Sequence, residues 1–159
     1  MNHSSPSHTP QIPDFQVNQF QELIGKLYQC CQERIKYQSE RFDLPDAELR
    51  CLLFFGEERY LTAKGISLKM NIVKSRVTKI LDGLMAKKLI RGVKDPEDSR
   101  ITLLSLTAEG QKKYNEVNAF LTDIHRQVLM QMEPEQRKIM LTNLDMLKAS
   151  LEAVKESMV

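Results

Sequence analysis

Polar side chains that can pair with nucleic-acid bases cluster near the middle of the chain. Ser75 and Thr78 offer hydroxyls, Arg76 a guanidinium, and Lys74 and Lys79 ammonium groups. Such groups donate hydrogen bonds to the acceptor atoms that base pairs expose in the major groove, and to phosphates. We therefore predict that these five residues contact double-stranded DNA.

The same residues lie on one side of a predicted amphipathic helix. The apolar positions recur at spacings of three and four and form a single stripe: Val77, Ile80, Leu81 and Leu84. At about 100° per residue, Ser75 and Lys79 point away from that stripe. The preceding short helix is predicted to be capped by Thr62 and to end near Met70, before a left-handed Asn71. Val73, at the cap position of the second helix, cannot act as a cap.

Basic side chains dominate the segment between residues 59 and 94, whose only acid is Asp82. The whole chain carries a net charge of only +2, so the positive charge is local. Local positive charge beside an exposed helix is typical of phosphate binding. A solvated basic face without a partner is the alternative. The basic residues are Lys64, Lys69, Lys74, Arg76, Lys79, Lys87, Lys88, Arg91 and Lys94.

A hairpin is predicted after this helix, with strands at residues 89–94 and 100–106 around the turn-forming residues 95–99. Arg100 on a protruding hairpin can enter a narrow, A·T-rich minor groove, where negative potential is concentrated. Asp98 can orient that guanidinium through a bidentate pair. Lys94 is assigned to the same interface. A local salt bridge that only stiffens the turn is the alternative for Arg100.

The turn sequence DPEDSR (residues 95–100), followed by LTAEG (residues 106–110), resembles the wing and post-wing signature of the MarR family of winged helix-turn-helix regulators. The order of elements matches from about Phe15 to Val159. The resemblance implies a mostly α (α+β) fold, a homodimer, and a pseudo-palindromic DNA operator. It also implies a bacterial or archaeal regulator that a small ligand or oxidation releases from DNA.

The chain divides into a disordered tail (1–13), an N-terminal dimerisation helix (14–44), a winged helix-turn-helix domain (45–106) and C-terminal dimerisation helices (107–159). Asp14 is predicted to cap the first helix, and residues 46–56 to form the second. Thr107 and Pro134 are predicted to start the two C-terminal helices.

In the last helix, apolar residues recur at alternating spacings of four and three, which is a heptad seam for a partner helix. They are Met140, Leu144, Leu147, Leu151, Val154 and Met158. With Leu23 and Leu27 of the first helix, this seam predicts a two-fold dimer, and an intrachain helical hairpin is the alternative.

Composition indicates an ordinary globular protein, with 42% hydrophobic and 28% charged residues and no membrane-spanning run. Three cysteines do not form a disulfide framework, so we expect a cytoplasmic protein. Cys51 is predicted to be a buried hydrophobe, and redox sensing by Cys30 or Cys31 is a weaker alternative. His125 lies in no cluster with metal-ligand spacing, and no catalytic pattern is evident, so we predict neither cofactor, metal nor enzyme. The rival function is a winged-helix module that docks a protein or RNA.

Overall fold

The computed structural model describes residues 11–158, in which six helices accompany a two-stranded sheet. The predicted mostly α fold with a winged helix-turn-helix is confirmed. The elements are α1 (Asp14–Phe42), α2 (Asp46–Phe54), α3 (Ala63–Met70), α4 (Lys74–Ala86), β1 (Ile90–Lys94), β2 (Thr102–Leu106), α5 (Ala108–Met130) and α6 (Pro134–Glu156). Residues 1–10 of the predicted disordered tail lie outside the described residues.

β1 and β2 pair antiparallel, with Ile90 opposite Leu106 and Lys94 opposite Thr102. A third segment joins the sheet at Leu61, whose backbone N donates to Leu104 O at 2.9 Å and whose O accepts from Leu104 N at 2.7 Å. The second strand is shorter than predicted. The reason is that Ile101 N bonds to Asp98 O at 2.9 Å, which keeps residues 98–101 in the turn.

A single core joins the helix-turn-helix to the sheet. The apolar stripe predicted for α4 is buried in full, together with Leu49 and Leu52 of α2 and Ile66 of α3. Val117 is the buried contact of α5 with this core. α2 ends at Phe54, short of the predicted residue 56. The apolar side of α4 therefore packs in the core, and its opposite side is exposed to solvent.

The helix ends follow local chemistry with one correction. Thr62 caps α3 by accepting from Gly65 N at 3.1 Å, and Asn71 takes the left-handed conformation at φ 53°, both as predicted. Pro13, and not Asp14, occupies the cap position of α1. Asp14 lies in the first helical turn, where its charge favours the positive helix end.

The LTAEG segment (residues 106–110) has a structural explanation. The Thr107 hydroxyl accepts from Gly110 N at 2.9 Å and donates to Lys88 O at 2.6 Å. Thr107 N donates to Leu89 O at 3.0 Å. A Cβ at Gly110 would lie 1.8 Å from that same oxygen, so only glycine allows this approach. The segment thus holds the start of α5 against the backbone that enters β1.

The terminal helices leave apolar side chains exposed. In α1, only Gln38 and Phe42 near its C-terminal end are buried, whereas Leu23 and Leu27 are exposed. Across residues 11–158, no residue of α6 is buried, and Leu144, Leu151 and Val154 are each about half exposed. Leu147 is of intermediate exposure. The heptad seam is therefore not covered by an intrachain hairpin, which was the alternative to a dimer.

Among the helices of residues 11–158, none has the length and hydrophobicity that a bilayer-spanning segment needs. The same residues contain no group of three His, Cys, Asp or Glu side chains arranged to hold a metal ion.

Candidate nucleic-acid interface

The outward side of α4 carries the predicted DNA-contacting residues. Ser75, Arg76, Thr78 and Lys79 are exposed, as is Lys74 at the start of the helix. The Thr78 hydroxyl donates to Lys74 O at 3.1 Å, so its remaining lone pairs face solvent as acceptors. Within residues 11–158, no acid lies within 4.0 Å of the charged groups on this side of the helix. The surface is therefore positive and available to a partner.

The start of α4 lacks the usual polar cap. Val73 occupies the cap position with extended backbone angles, and no side-chain hydrogen bond to the cap is found among the described residues. Replacing a Ser, Thr, Asn or Asp cap by an apolar residue typically costs about 1 kcal/mol. Val73 is 69% exposed, so burial of its side chain offsets little of this cost.

Two lysines of the basic segment are neutralised within the chain. Lys69 Nζ lies 3.0 Å from a carboxylate oxygen of Glu58 and 3.4 Å from one of Glu57. These carboxylates raise the pKa of Lys69, with the hydrogen bond to Glu58 as the main cause. Lys87 Nζ lies 2.9 Å from Glu48 Oε2. Both lysines therefore have carboxylate partners within the chain, which the sequence analysis did not predict.

Glu48 is the positioning residue that the sequence did not reveal. It lies on α2, is buried, and faces α4 at Gly83, where an added Cβ would lie 2.1 Å from Glu48 Oε1. Gly83 thus allows α2 and α4 to approach closely around a carboxylate that pairs with Lys87. A buried carboxylate needs such a partner. The pair adds a polar contact between α2 and the C-terminal end of α4, beside the buried apolar side of that helix.

The hairpin between β1 and β2 holds Arg100 in a defined orientation. Arg100 Nε and Nη2 each donate to Asp98 at 2.9 Å, and Arg100 N donates to Asp98 Oδ1 at 3.0 Å. The predicted bidentate pair is therefore confirmed. The Arg100 side chain is 89% exposed, and the hydrogen bonds from it lower the pKa of Asp98. Asp95 Oδ1 accepts from Glu97 N at 2.7 Å, which tightens the turn further.

Lys94, at the end of β1, faces the same hairpin, with its Nζ 3.3 Å from the Thr102 hydroxyl. Its charge is therefore not neutralised by this contact. Lys94 and Arg100 place two cations on the hairpin, while Asp98 offsets part of the charge of Arg100.

The cysteines differ in their surroundings. Cys51 is fully buried, and burial raises the pKa of its thiol from 9.0 to about 12, with a smaller contribution from the negative charge of Glu48. The prediction that Cys51 is a buried hydrophobe is confirmed. Cys30 and Cys31 are both exposed on α1. His125 is an exposed residue of α5.

Comparison with known proteins identifies similar chains. A family model described as MarR family matches residues 42–101, which run from the end of α1 to the turn between β1 and β2. The chain is 30% identical over 103 residues to the HTH-type transcriptional repressor MdtR of Bacillus subtilis, covering 65% of this chain and 66% of MdtR. It is 24% identical over 131 residues to the uncharacterized HTH-type transcriptional regulator YdgJ of the same organism, covering 80% of this chain and 71% of YdgJ.

A solved structure extends the similarity to nearly the whole fold. Streptococcus pneumoniae FabT in complex with DNA superimposes with a TM-score of 0.77 at 20% identity, covering 85% of this chain and 99% of FabT. At that identity the superposition shows the shared fold. Its coverage is larger than the segment that the family model matches.

Proposed function

Since the chain belongs to the MarR family of winged helix-turn-helix regulators, we propose that it binds double-stranded DNA sequence-specifically as a homodimer and represses transcription. The observation that carries the proposal is the division of α4, whose apolar side is wholly buried while its polar and basic side is exposed. MdtR is named a transcriptional repressor, and the structure of FabT was solved in complex with DNA. Both support the same function for this chain.

In the proposed complex, the start of α4 enters the major groove. The guanidinium of Arg76 can pair with a guanine edge, and Lys79 can contact either bases or phosphates. Ser75 and Thr78 supply smaller hydrogen-bonding groups, and Lys74 contacts a phosphate or a base beside them. These contacts concentrate in the first two turns of α4, because the exposed side ends in Asp82, which repels phosphate.

The hairpin is the proposed wing, which lies along the neighbouring minor groove. Arg100 is the inserted cation, because it is highly exposed and its guanidinium is oriented by Asp98. An oriented guanidinium loses less conformational entropy on binding than a free one. Lys94 contributes a second positive charge to the same groove or to the phosphates beside it.

The homodimer is proposed from the exposed apolar side chains of α1 and α6. Most of the stability of a helix in a protein comes from tertiary packing, and no residue of α6 is buried within residues 11–158. A second copy that covers the seam would stabilise it by burying apolar area. The proposed interface residues are Leu23, Leu27, Leu144, Leu147, Leu151 and Val154. Two copies related by a two-fold axis would place two α4 helices on half-sites about one helical turn apart.

Release from DNA by a small ligand is the finer part of the proposal and rests on the family resemblance. A ligand between the dimerisation helices and the winged domain would alter the spacing of the two α4 helices. To move a two-state equilibrium decisively, it needs several kcal/mol of differential affinity.

The direct test is selection of bound duplexes from a random pool, followed by fluorescence-anisotropy titration of the enriched sequence and of a scrambled duplex. We expect a pseudo-palindrome, at least a thousandfold preference over the scrambled duplex, and affinity that falls steeply with salt. Two variants, each of which removes one lysine, distinguish a contact made by α4 from a general effect of positive charge on DNA binding. Lys79→Ala should weaken binding, whereas Lys148→Ala, on exposed α6, should not.

Two results would contradict the proposal. If the pool yields no enriched sequence and all duplexes bind alike, the exposed side of α4 serves another partner, such as a protein or RNA. If sedimentation velocity finds only monomer at the concentrations that saturate DNA, the homodimer is wrong.

A further inference from the structure

An apolar side chain stands at the tip of the helix that the proposed function inserts into DNA. Val73 directly precedes α4, its side chain is 69% exposed, and among the described residues it makes no capping hydrogen bond. It is neither part of the core nor a cap for the helix. Its two methyl groups are therefore available to a partner at the position where the helix first meets the groove.

The surroundings of Val73 combine exposed apolar surface with positive charge. Leu68, near the end of α3, is 74% exposed. A cleft of about 320 Å³ between α3 and the start of α4 is lined by Ala63, Lys64, Ser67, Leu68 and Lys74. Lysines on both helices flank this apolar surface. The arrangement suits a partner that is anionic at its edges and apolar between them.

Double-stranded DNA has this pattern wherever the major groove carries thymine. The C5-methyl of thymine is the apolar group on the base-pair edges of that groove, and phosphates border it on both sides. We propose that Val73 contacts a thymine C5-methyl in each half-site and so selects thymine at one operator position. The inference rests on the proposed function, and it assigns a specificity role to a residue that contributes no hydrogen bond.

The proposal explains why an apolar residue occupies the cap position. A serine would satisfy the helix end but would present a hydroxyl to the thymine methyl. A threonine would supply both a cap and one methyl group. The three residues therefore separate capping from methyl contact, because valine provides only methyls, serine only a cap, and threonine both.

The test replaces each thymine of the selected operator by deoxyuridine, which removes the methyl and keeps every hydrogen-bonding group. Binding of wild type, Val73→Ser and Val73→Thr is measured by fluorescence anisotropy at fixed salt. For wild type, we expect one symmetric pair of positions at which deoxyuridine weakens binding about fourfold per half-site, the effect of one buried methyl. Val73→Thr should keep most of this sensitivity, and Val73→Ser should lose it.

Each outcome bears on the inference. If wild type binds the operator with sequence preference but tolerates deoxyuridine everywhere, or if Val73→Ser shows the same deoxyuridine penalty as wild type, the inference is overturned and the proposed function stands. If wild type shows no sequence preference at all, both are overturned. The circular dichroism of each variant reports whether it is folded, and the added cap should make the serine and threonine variants no less stable than wild type.

Discussion

Replacement of Gly110 by alanine tests how the start of α5 is held. The added Cβ would lie 1.8 Å from the Leu89 carbonyl oxygen and 2.8 Å from its carbon, both backbone atoms. Real Cβ atoms essentially never approach closer than 3.0 Å, so α5 or the chain entering β1 must move by more than an ångström. Side-chain rotation can relieve only the 3.2 Å approach to Leu106 Cδ2, because both atoms closer than 3.0 Å belong to the backbone.

The expected cost follows from three contributions. Overpacking of this kind typically costs 1–3 kcal/mol. The displacement also disturbs the hydrogen bonds that Leu89 O accepts from Thr107 N at 3.0 Å and from the Thr107 hydroxyl at 3.3 Å, each worth about 1 kcal/mol. Replacing glycine by alanine within a helix stabilises the helix by about 1 kcal/mol, which offsets part of this cost. We therefore expect Gly110→Ala to lower the free energy of unfolding by about 2–4 kcal/mol.

The measurement is urea unfolding followed by circular dichroism at one fixed protein concentration, because the stability of the proposed homodimer would depend on concentration. Gly25→Ala is the matched control. Gly25 lies within α1, nothing approaches its added Cβ within 4 Å, and its direction is roughly opposite to Leu23 and Leu27. The control should gain up to about 1 kcal/mol. A Gly110→Ala protein as stable as wild type, with the control behaving as expected, would refute the contact as described.

Three further outcomes follow from the site. Arg100→Ala should leave the urea midpoint unchanged, because the side chain is highly exposed, and should weaken operator binding more than tenfold in anisotropy titrations; undiminished binding would reject the wing contact. Cys51 should resist iodoacetamide in the folded protein and react in urea, as followed by mass spectrometry. Because its folded pKa is raised from 9.0 to about 12, the unfolding free energy should fall above about pH 9, by about 1.4 kcal/mol per pH unit. If the unfolding free energy of a Cys51→Val variant does not fall in this pH range, the raised pKa of Cys51 is confirmed. An equal fall in that variant would contradict it. Leu151→Glu should shift sedimentation velocity toward monomer and weaken operator binding, whereas Lys148→Glu on the same helix should do neither.

Local patterns predicted most of the fold. The stripe of α4 follows from spacing alone, since side chains three and four apart share one side of a helix. The Asp98–Arg100 pair and the Thr107 cap lie within three residues of their partners, so their geometry depends on little else. These features were predictable because the interacting groups are close in the sequence.

Features that depend on distant partners were not predictable. Glu48 and Lys87 are separated by 39 positions, and nothing in either segment indicates that the two charges meet. The pairing of Lys69 with Glu58 depends on how the loop after α2 packs against α3. The short bridge at Leu61 likewise requires β2 as its partner. Charge counting along the chain therefore overestimated the free positive charge near α4.

The exposed surface of α6 would make the folding of the proposed homodimer depend on protein concentration. Because no residue of that helix is buried within residues 11–158, the protomer itself provides little of the packing that would keep the helix ordered. If a second copy supplies it, folding of the C-terminal helix and association are one event governed by mass action. At a lower protein concentration, α6 would then unfold in more of the molecules, and fewer operators would be occupied. Proteases would cleave the monomers in preference to the dimers.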